Sequence, residues 1–356
     1  MVANFPFIRI AGDPSARGRQ YGEGAADRIG ASLLLYRKLF SAYASMTWEQ
    51  AIKKAKGFEP FIGQYLPDAI GEMRGIAEGS GFTYEDILAL NCRSELMFAP
   101  PDGCTSAIVP PEAAADKKTY IAQTWDWLRP AQDACVVVEL HQRPLPSLIM
   151  ACEAGLIGGK GVNAAGIGCG MNALGIGWGK LGTPLHLIYR GIMNSVKISD
   201  SIEAVSKTER AGCANFIIGS AEGMALNLEF TPENFDVSFA EHAPLAHGNH
   251  FLSPILAPED KLKAQFPCSF PRYHRAKMLL EERRGRLTRE SLFEIMADHV
   301  NYPDSVCSHE DERDAEWSRY CTIFGFLADL AEREIWIAPG NPCESEWRSY
   351  RLASEA

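Results

Sequence analysis

Apolar positions in the first hundred residues recur mostly at helical spacing. A short strand-like FIRIAG (residues 7–12) is followed by a stretch from Ala16 to Phe40 that carries Ile29, Leu33, Leu34 and Tyr36–Phe40 near a 3.6-residue period. Gly57 to Ile62, with Pro60, interrupts the pattern. Asp68 to Glu78 resumes it, and Gly79 and Gly81 read as its C-cap. TYEDILALN reads as a short capped helix, with Thr83 three residues before Asp86. At Pro100-Pro101-Asp102-Gly103 the texture changes. CTSAIV, TYIAQTWDW, ACVVVELH, PSLIMACEA and the glycine-laced GVNAAGIGCGMN read as successive strands. Leu185–Met193 and Asp200–Ser206 fit helices. ANFIIGS and MALNLEF form a hairpin around Ala221-Glu222-Gly223, and CTIFGFLADL and EIWIAPG close the chain as another strand pair. Runs of strands, then helices, then strands predict α+β layers rather than alternating βαβ units. No internal repeat is visible, and the polar stretch Ser308–Arg319 reads as a mobile loop.

Composition narrows the partners. The 356 residues allow two domains or one large layered unit. With 35 Lys+Arg against 45 Asp+Glu the net charge is −10, which lacks the basic footprint that nucleic acid or an anionic membrane rewards. No apolar run reaches about 18 residues, so no membrane span is expected. The start, MVANFPFIRI, has no charged segment leading into a long apolar one, so no signal peptide is read there. The ten cysteines are scattered singly without C-x-x-C or finger spacing, which points to a reduced cytoplasm and to no metal. Gly177-Trp178-Gly179-Lys180-Leu181-Gly182 matches a dinucleotide fingerprint but lies mid-chain after a glycine-rich strand rather than opening a βαβ unit, so no cofactor is expected. The histidines offer no H-E-x-x-H; His247 and His250 bracket Asn249.

The most informative point is the Gly103-Cys104 junction, where helical texture gives way to strands. Attack of the Cys104 thiol on its own preceding carbonyl would shift the peptide to a thioester. Water would then release Cys104 as a new N-terminus, whose α-amino group, with a pKa of ~7.7–8.0, can act as the nucleophile's own base. A buried structural thiol is the alternative. Asp126, between two tryptophans in QTWDW, is costly to bury unless paired. It either holds the α-ammonium or orients the thiol, or it is an ordinary strand-end acid. Asn249 in HGNHF either donates to a developing oxyanion or simply makes a turn beside Gly248.

With GDPSARGRQYGEG, DGCTS, QTWDW, GKGVNAAGIG, HGNHF and IWIAPGNPC, the chain resembles the acyl-coenzyme A:6-aminopenicillanic acid acyltransferase family of self-processing N-terminal-nucleophile enzymes. The resemblance implies a four-layer αββα sandwich made as a precursor. Cleavage before Cys104 would leave a small, mostly helical subunit, residues 1–103, wrapped on a large one, 104–356. Cys104 would be the nucleophile, Asp126 would polarise it and Asn249 would line the oxyanion hole. Related bile-salt and penicillin V hydrolases also place an arginine near the thiol; Arg272 and Arg319 are the candidates here, with Arg272 preferred. Asn215 is a candidate substrate contact. Trp125 or Trp127, with Trp178, are candidates for an aromatic acyl pocket, core packing being the alternative.

The implied reaction passes an acyl group from a small-molecule amide or thioester through Cys104 to water or to an amine. Hydrolysis of N-acylated small amines or amino acids is favoured, because transfer needs a second binding site. Transfer from acyl-coenzyme A would call for a basic patch, for which Arg283, Arg284, Arg286 and Arg289 are the candidates. An uncleaved, non-catalytic binding protein is the third reading. The cleaved N-terminal fragment is the expected partner, and a homo-oligomer of processed heterodimers stays open.

Overall fold

The computed structural model describes residues 4–97, 103–175 and 179–353; Asp102, Gly177 and Trp178 lie outside them. The N-terminal part runs β1 (Phe7–Ala11), α1 (Pro14–Ala44), α2 (Trp48–Ala55), α3 (Glu59–Tyr65), α4 (Pro67–Ser80), α5 (Tyr84–Asn91) and α6 (Arg93–Met97). Polar caps fix where these helices begin. The Asp13 carboxylate accepts the Ala16 N–H at 2.8 Å, and Thr83 and Asp86 cap each other reciprocally at the start of α5. Pro60 opens α3 rather than ending helical structure.

Four glycines mark the crossing of α1 and α4. A Cβ on Gly18 or Gly22 would lie 2.1 Å from the Glu72 carbonyl oxygen or 2.3 Å from that of Ile76; on Gly75 or Gly79 it would meet the Ser15 or Arg19 carbonyl oxygen at 2.3 or 2.1 Å. Bare backbones therefore touch there. Gly79 is a packing surface inside α4 rather than its cap; Gly81, with φ +79°, is the cap.

Strands then follow in order: β2 (Gly103–Val109), β3 (Tyr120–Leu128), β4 (Cys135–His141), β5 (Leu148–Glu153), β6 (Lys160–Asn163) and β7 (Ile167–Ala173). The glycine-laced stretch read as one strand is thus two, β6 and β7, turning at Gly166 with φ +84°. Next come α7 (Leu185–Met193), α8 (Ile198–Ser206), β8 (Ala214–Ser220), β9 (Ala225–Phe230), β10 (Phe235–Phe239), β11 (Leu245–His247), α9 (Ser269–Glu282), α10 (Arg289–Met296), β12 (Tyr320–Asp329), β13 (Glu334–Pro339) and β14 (Arg348–Arg351). The described strands form an eight-stranded sheet, β1-β4-β5-β6-β7-β8-β9-β10, and a six-stranded sheet, β11-β2-β3-β12-β13-β14. The two sheets pack face to face. α1, α7 and α8 cover the first sheet, and α9 and α10 cover the second. This is the four-layer αββα sandwich.

Strand alternation assigns each face. On β2 and β3, Ile108 and Ile121 join the core between the sheets, while Ala107, Val109 and Ala122 pack under Leu279, Leu280, Leu292 and Ile295 of α9 and α10. Both faces being buried, these strands read as nearly continuous apolar runs. The N-terminal part is tied into the sandwich: β1 pairs in parallel with β4, and a buried Glu72 bridges Arg17 to Arg190 of α7. No helix among the described residues is long and apolar enough to cross a membrane.

Candidate active site

Register brings the junction and the acid together. On the paired strands β2 and β3, Gly103 lies opposite Asp126 and Cys104 opposite Trp125. Cys104 shares the parity of Ile108 and so faces the space between the sheets; Gly103, Thr105 and Asp126 face α9. A Cβ on Gly103 would come within 3.1 Å of Asp126 Oδ2, so glycine before the cysteine is what leaves room for the carboxylate. Cys104, Asp126, Asn249 and Arg272 are all essentially buried.

The backbone nitrogen of Cys104 donates to Asn249 Oδ1 at 2.9 Å. Arg272, from the first turn of α9, donates through Nη2 to the same oxygen at 2.8 Å, and through Nη1 to the Cys104 carbonyl oxygen and to Thr105 Oγ1, both at 2.8 Å. These bonds pin the backbone of Cys104. Asn249 meets Cys104 through its carbonyl oxygen, whereas the sequence reading gave it an amide donor's role in the oxyanion hole; its Nδ2 donates to the Ala173 carbonyl oxygen at 3.1 Å. Ser269 Oγ accepts the Asn249 N–H at 2.7 Å and fixes the segment.

Asp126 is held differently. Thr322 Oγ1 donates to its Oδ1 at 2.7 Å, but the nearest guanidinium nitrogen of Arg272 is 3.9 Å from Oδ2. Burial pushes its carboxyl up to about 6, against the opposing pull of Arg272 and Thr322.

The remaining expected residues scatter. Asn215 Nδ2 donates to Asn172 Oδ1 at 3.2 Å, so it reaches Cys104 only through Asn172, and its own Oδ1 has no hydrogen-bond partner among the described residues. Trp127 is stacked on Tyr320, ring centroids 5.5 Å apart, as core. Arg319 donates to the carbonyl oxygens of Asp314 and Glu312 and lines a different cavity, of about 380 Å³, with Leu34, Leu128 and Glu310. It does not join the Cys104 cluster. Of the four arginines proposed for a phosphate patch, Arg283 is paired with Glu294 and Arg289 with Glu290, while Arg286 donates to the Glu282 carbonyl oxygen. His247 is hydrogen-bonded to Glu229 at 2.6 Å and to the Gly248 carbonyl oxygen, and His250 stacks on Phe270; both are structural in this arrangement.

Two residues that the sequence reading missed belong to the cluster. Asn172, on β7 of the facing sheet, accepts from Ser106 Oγ at 2.6 Å and turns its Nδ2 to the Cys104 carbonyl oxygen at 3.4 Å. Thr322, on β12, carries Asp126. Each is a polar residue inside an apolar strand, and that was the one signal available. Trp125 lines a small cavity of about 20 Å³ with Met171, Tyr189, Phe324 and Lys160, whose ammonium lies 5.3 Å from the Trp125 and Phe324 ring centres.

The profile of the family described as acyl-coenzyme A:6-aminopenicillanic acid acyl-transferase matches residues 113–344, a span that holds Asp126, Asn249 and Arg272 and begins after Cys104. The 40 kDa form of acyl-coenzyme A:6-aminopenicillanic-acid-acyltransferase of Emericella nidulans is 28% identical over 341 residues, covering 94% of this chain and 92% of the relative. Among solved structures, a mutant conjugated bile acid hydrolase from Clostridium perfringens covers 70% of this chain and 97% of its own, at 11% identity and a TM-score of 0.48. An N-acylethanolamine-hydrolyzing acid amidase ortholog from Caenorhabditis elegans covers 70% of this chain and 100% of its own, at 12% identity and 0.45. By the extent of its profile match, the chain belongs to the acyl-coenzyme A:6-aminopenicillanic acid acyl-transferase family.

Proposed function

We propose that this protein is a self-processing cysteine acylase with Cys104 as nucleophile, acting on the amide bond of N-acylated small amines or amino acids. The observation that carries the reading is the position of the Cys104 nitrogen, held by Asn249 Oδ1 in a buried cluster with Arg272 and Asp126. In processing, Sγ attacks the Gly103 carbonyl, the Gly103–Cys104 C–N bond breaks and the nitrogen takes the thiol proton. Water then hydrolyses the thioester to a Gly103 carboxylate and restores the thiol. The nitrogen freed in this way already has an acceptor in Asn249, and Asp126, above its raised pKa, supplies negative charge for the α-ammonium.

The same thiol then attacks the substrate carbonyl, the α-amine takes its proton and passes it to the leaving amine, and water resolves the acyl-enzyme. Residues 1–103 stay attached after cleavage through β1, the Glu72–Arg190 pair and the Arg93–Glu153 pair. Ten cysteines without a disulfide fit a reducing, cytoplasmic setting.

Acyl transfer to an amine is the second reading, favoured by the name of the 28% identical relative. Incubating processed protein with N-acyl amino acids and with acyl-coenzyme A, each with and without an amine acceptor, separates the two by product. Hydrolysis predicts free acid in every productive reaction, and an acyl adduct on the 104–356 fragment at short times. No adduct on that fragment with any donor that turns over would refute the thiol mechanism.

A further inference from the structure

Four side chains, two of them from the local Cys307-Ser308-His309 and two from elsewhere in the chain, meet on the far side of Thr322. His299, just beyond α10, comes together with Cys307, His309 and, from the turn after β13, Cys343, with all four ligand atoms within 4.8 Å of one another. His299 Nε2 lies 3.1 Å from His309 Nε2, and Cys307 Sγ lies 3.6 Å from Cys343 Sγ. His309 Nε2 is 3.7 Å from Cys307 Sγ and 3.5 Å from Cys343 Sγ. A tetrahedral ion with bonds of about 2.0–2.1 Å to nitrogen and about 2.3 Å to sulfur requires edges of roughly 3.3 Å N–N, 3.5 Å N–S and 3.8 Å S–S. These four of the six edges fall close to those values before any ion is placed, and the two from His299 to the sulfurs lie within 4.8 Å.

We propose that His299, Cys307, His309 and Cys343 form a structural zinc site. Two thiols and two imidazoles are a donor set that selects zinc, and four protein ligands close the coordination sphere, leaving no open position for catalysis. Binding would displace both thiol protons, so the two thiolates neutralise the ion.

The site braces the active centre. Ser308, between two of the ligands, donates its N–H to Thr322 Oγ1 at 2.9 Å and accepts the Thr322 N–H at 2.9 Å, and Thr322 Oγ1 donates onward to Asp126. Asn341, near the fourth ligand, donates to the Ser308 carbonyl oxygen at 2.7 Å. An ion clamping Cys307, His309 and Cys343 would thus hold the segment that sets the Asp126 carboxyl.

The test uses the full-length chain, untagged and purified under reducing conditions, together with Cys104→Ala as a form in which the acyl-transfer reading plays no part. Elemental analysis is expected to find about one zinc per chain in both. Replacement by Co(II) is expected to give the intense visible bands of a tetrahedral ion and a thiolate charge-transfer band in the near ultraviolet. Cys343→Ser, at an exposed position, keeps the fold and is expected to lose the zinc or weaken its retention against a chelator at least ~10-fold, with a diminished charge-transfer band. His309→Asn gives a second, independent loss. Zinc content unchanged in Cys343→Ser, a chain that takes up neither zinc nor cobalt, or a Cys307–Cys343 disulfide in the mass of the reduced-purified chain would each overturn the proposal.

Discussion

Glu72 and Asp126, two of the buried carboxylates that face arginine, end in opposite states. Glu72 sits between Arg17, whose Nε donates at 2.6 Å, and Arg190, whose two terminal nitrogens donate at 3.0 and 3.1 Å. Burial pushes its carboxyl up, yet the two guanidiniums outweigh burial and hold it below its ordinary value. Asp126 is equally buried, but its one arginine stands 3.9 Å away with its donors committed to Cys104, Thr105 and Asn249, and its carboxyl rises to about 6. The residue types match; what differs is how many donors are left for the carboxylate. Glu72 is a finished clamp between the helical part and α7. Asp126 is left short of positive charge where the proposed mechanism creates an ammonium.

The largest effect that sharpens this contrast is at the clamp. Glu72→Gln strands two buried guanidiniums and is expected to cost about 3–5 kcal/mol at neutral pH, read from the denaturant midpoint of the Cys104→Ala chain. Because the folded pKa of Glu72 is depressed, its contribution is present above its ordinary value of 4.5 and is lost as pH falls through the folded value. The mutant and parent midpoints are therefore expected to converge in acid. A gap that persists undiminished there would show that the pair is not acting through charge.

Next comes Asn249→Ala, which takes away the side chain that holds the Cys104 nitrogen, the base of the proposed mechanism. Acylase turnover is expected to fall about 10²-fold or more with little change in thermal stability, the size that a positioned general base contributes. Equal losses in stability and turnover would make Asn249 a packing residue instead.

The smallest effect, and opposite in sign to Glu72→Gln, is at Asp126. Its folded pKa of about 6 lies above the ordinary 3.8, so the stability it contributes is present below 3.8 and is lost as pH rises through about 6. In the uncleaved Cys104→Ala chain, Asp126→Asn is expected to be neutral at pH 4 and to raise stability by ~1–2 kcal/mol at pH 7.5. Destabilisation at pH 7.5 would mean that Arg272 compensates the carboxylate after all.

Much of this was legible in the chain. Thr83 announces a helix start because capping is local, and the Cys104 and Asp126 strands stand out because both their faces are buried. Helix α9 was not legible: SFPRYHRAKMLLEE carries little apolar periodicity, and its Arg272 is buried by a site rather than by a core. Arg319 borders a core strand in sequence, yet its side chain turns back to its own loop, whereas Arg272 reaches Cys104 from a helix packed on the other face. Asn172 and Thr322 escaped because sheet stacking and strand register, neither encoded in local spacing, bring them to Cys104 and Asp126. The same holds for His299, Cys307, His309 and Cys343, which three separate turns bring together.

The central claim is that the Gly103–Cys104 bond breaks itself. Intact mass and N-terminal sequencing of the purified chain test this directly. The account predicts that the 39.2 kDa wild type resolves into fragments of roughly 11 and 28 kDa, the larger beginning Cys-Thr-Ser, while Cys104→Ala stays whole. Wild type that retains full-length mass while its acylase activity is measurable would contradict the account, because the α-amine assigned as base would then not exist.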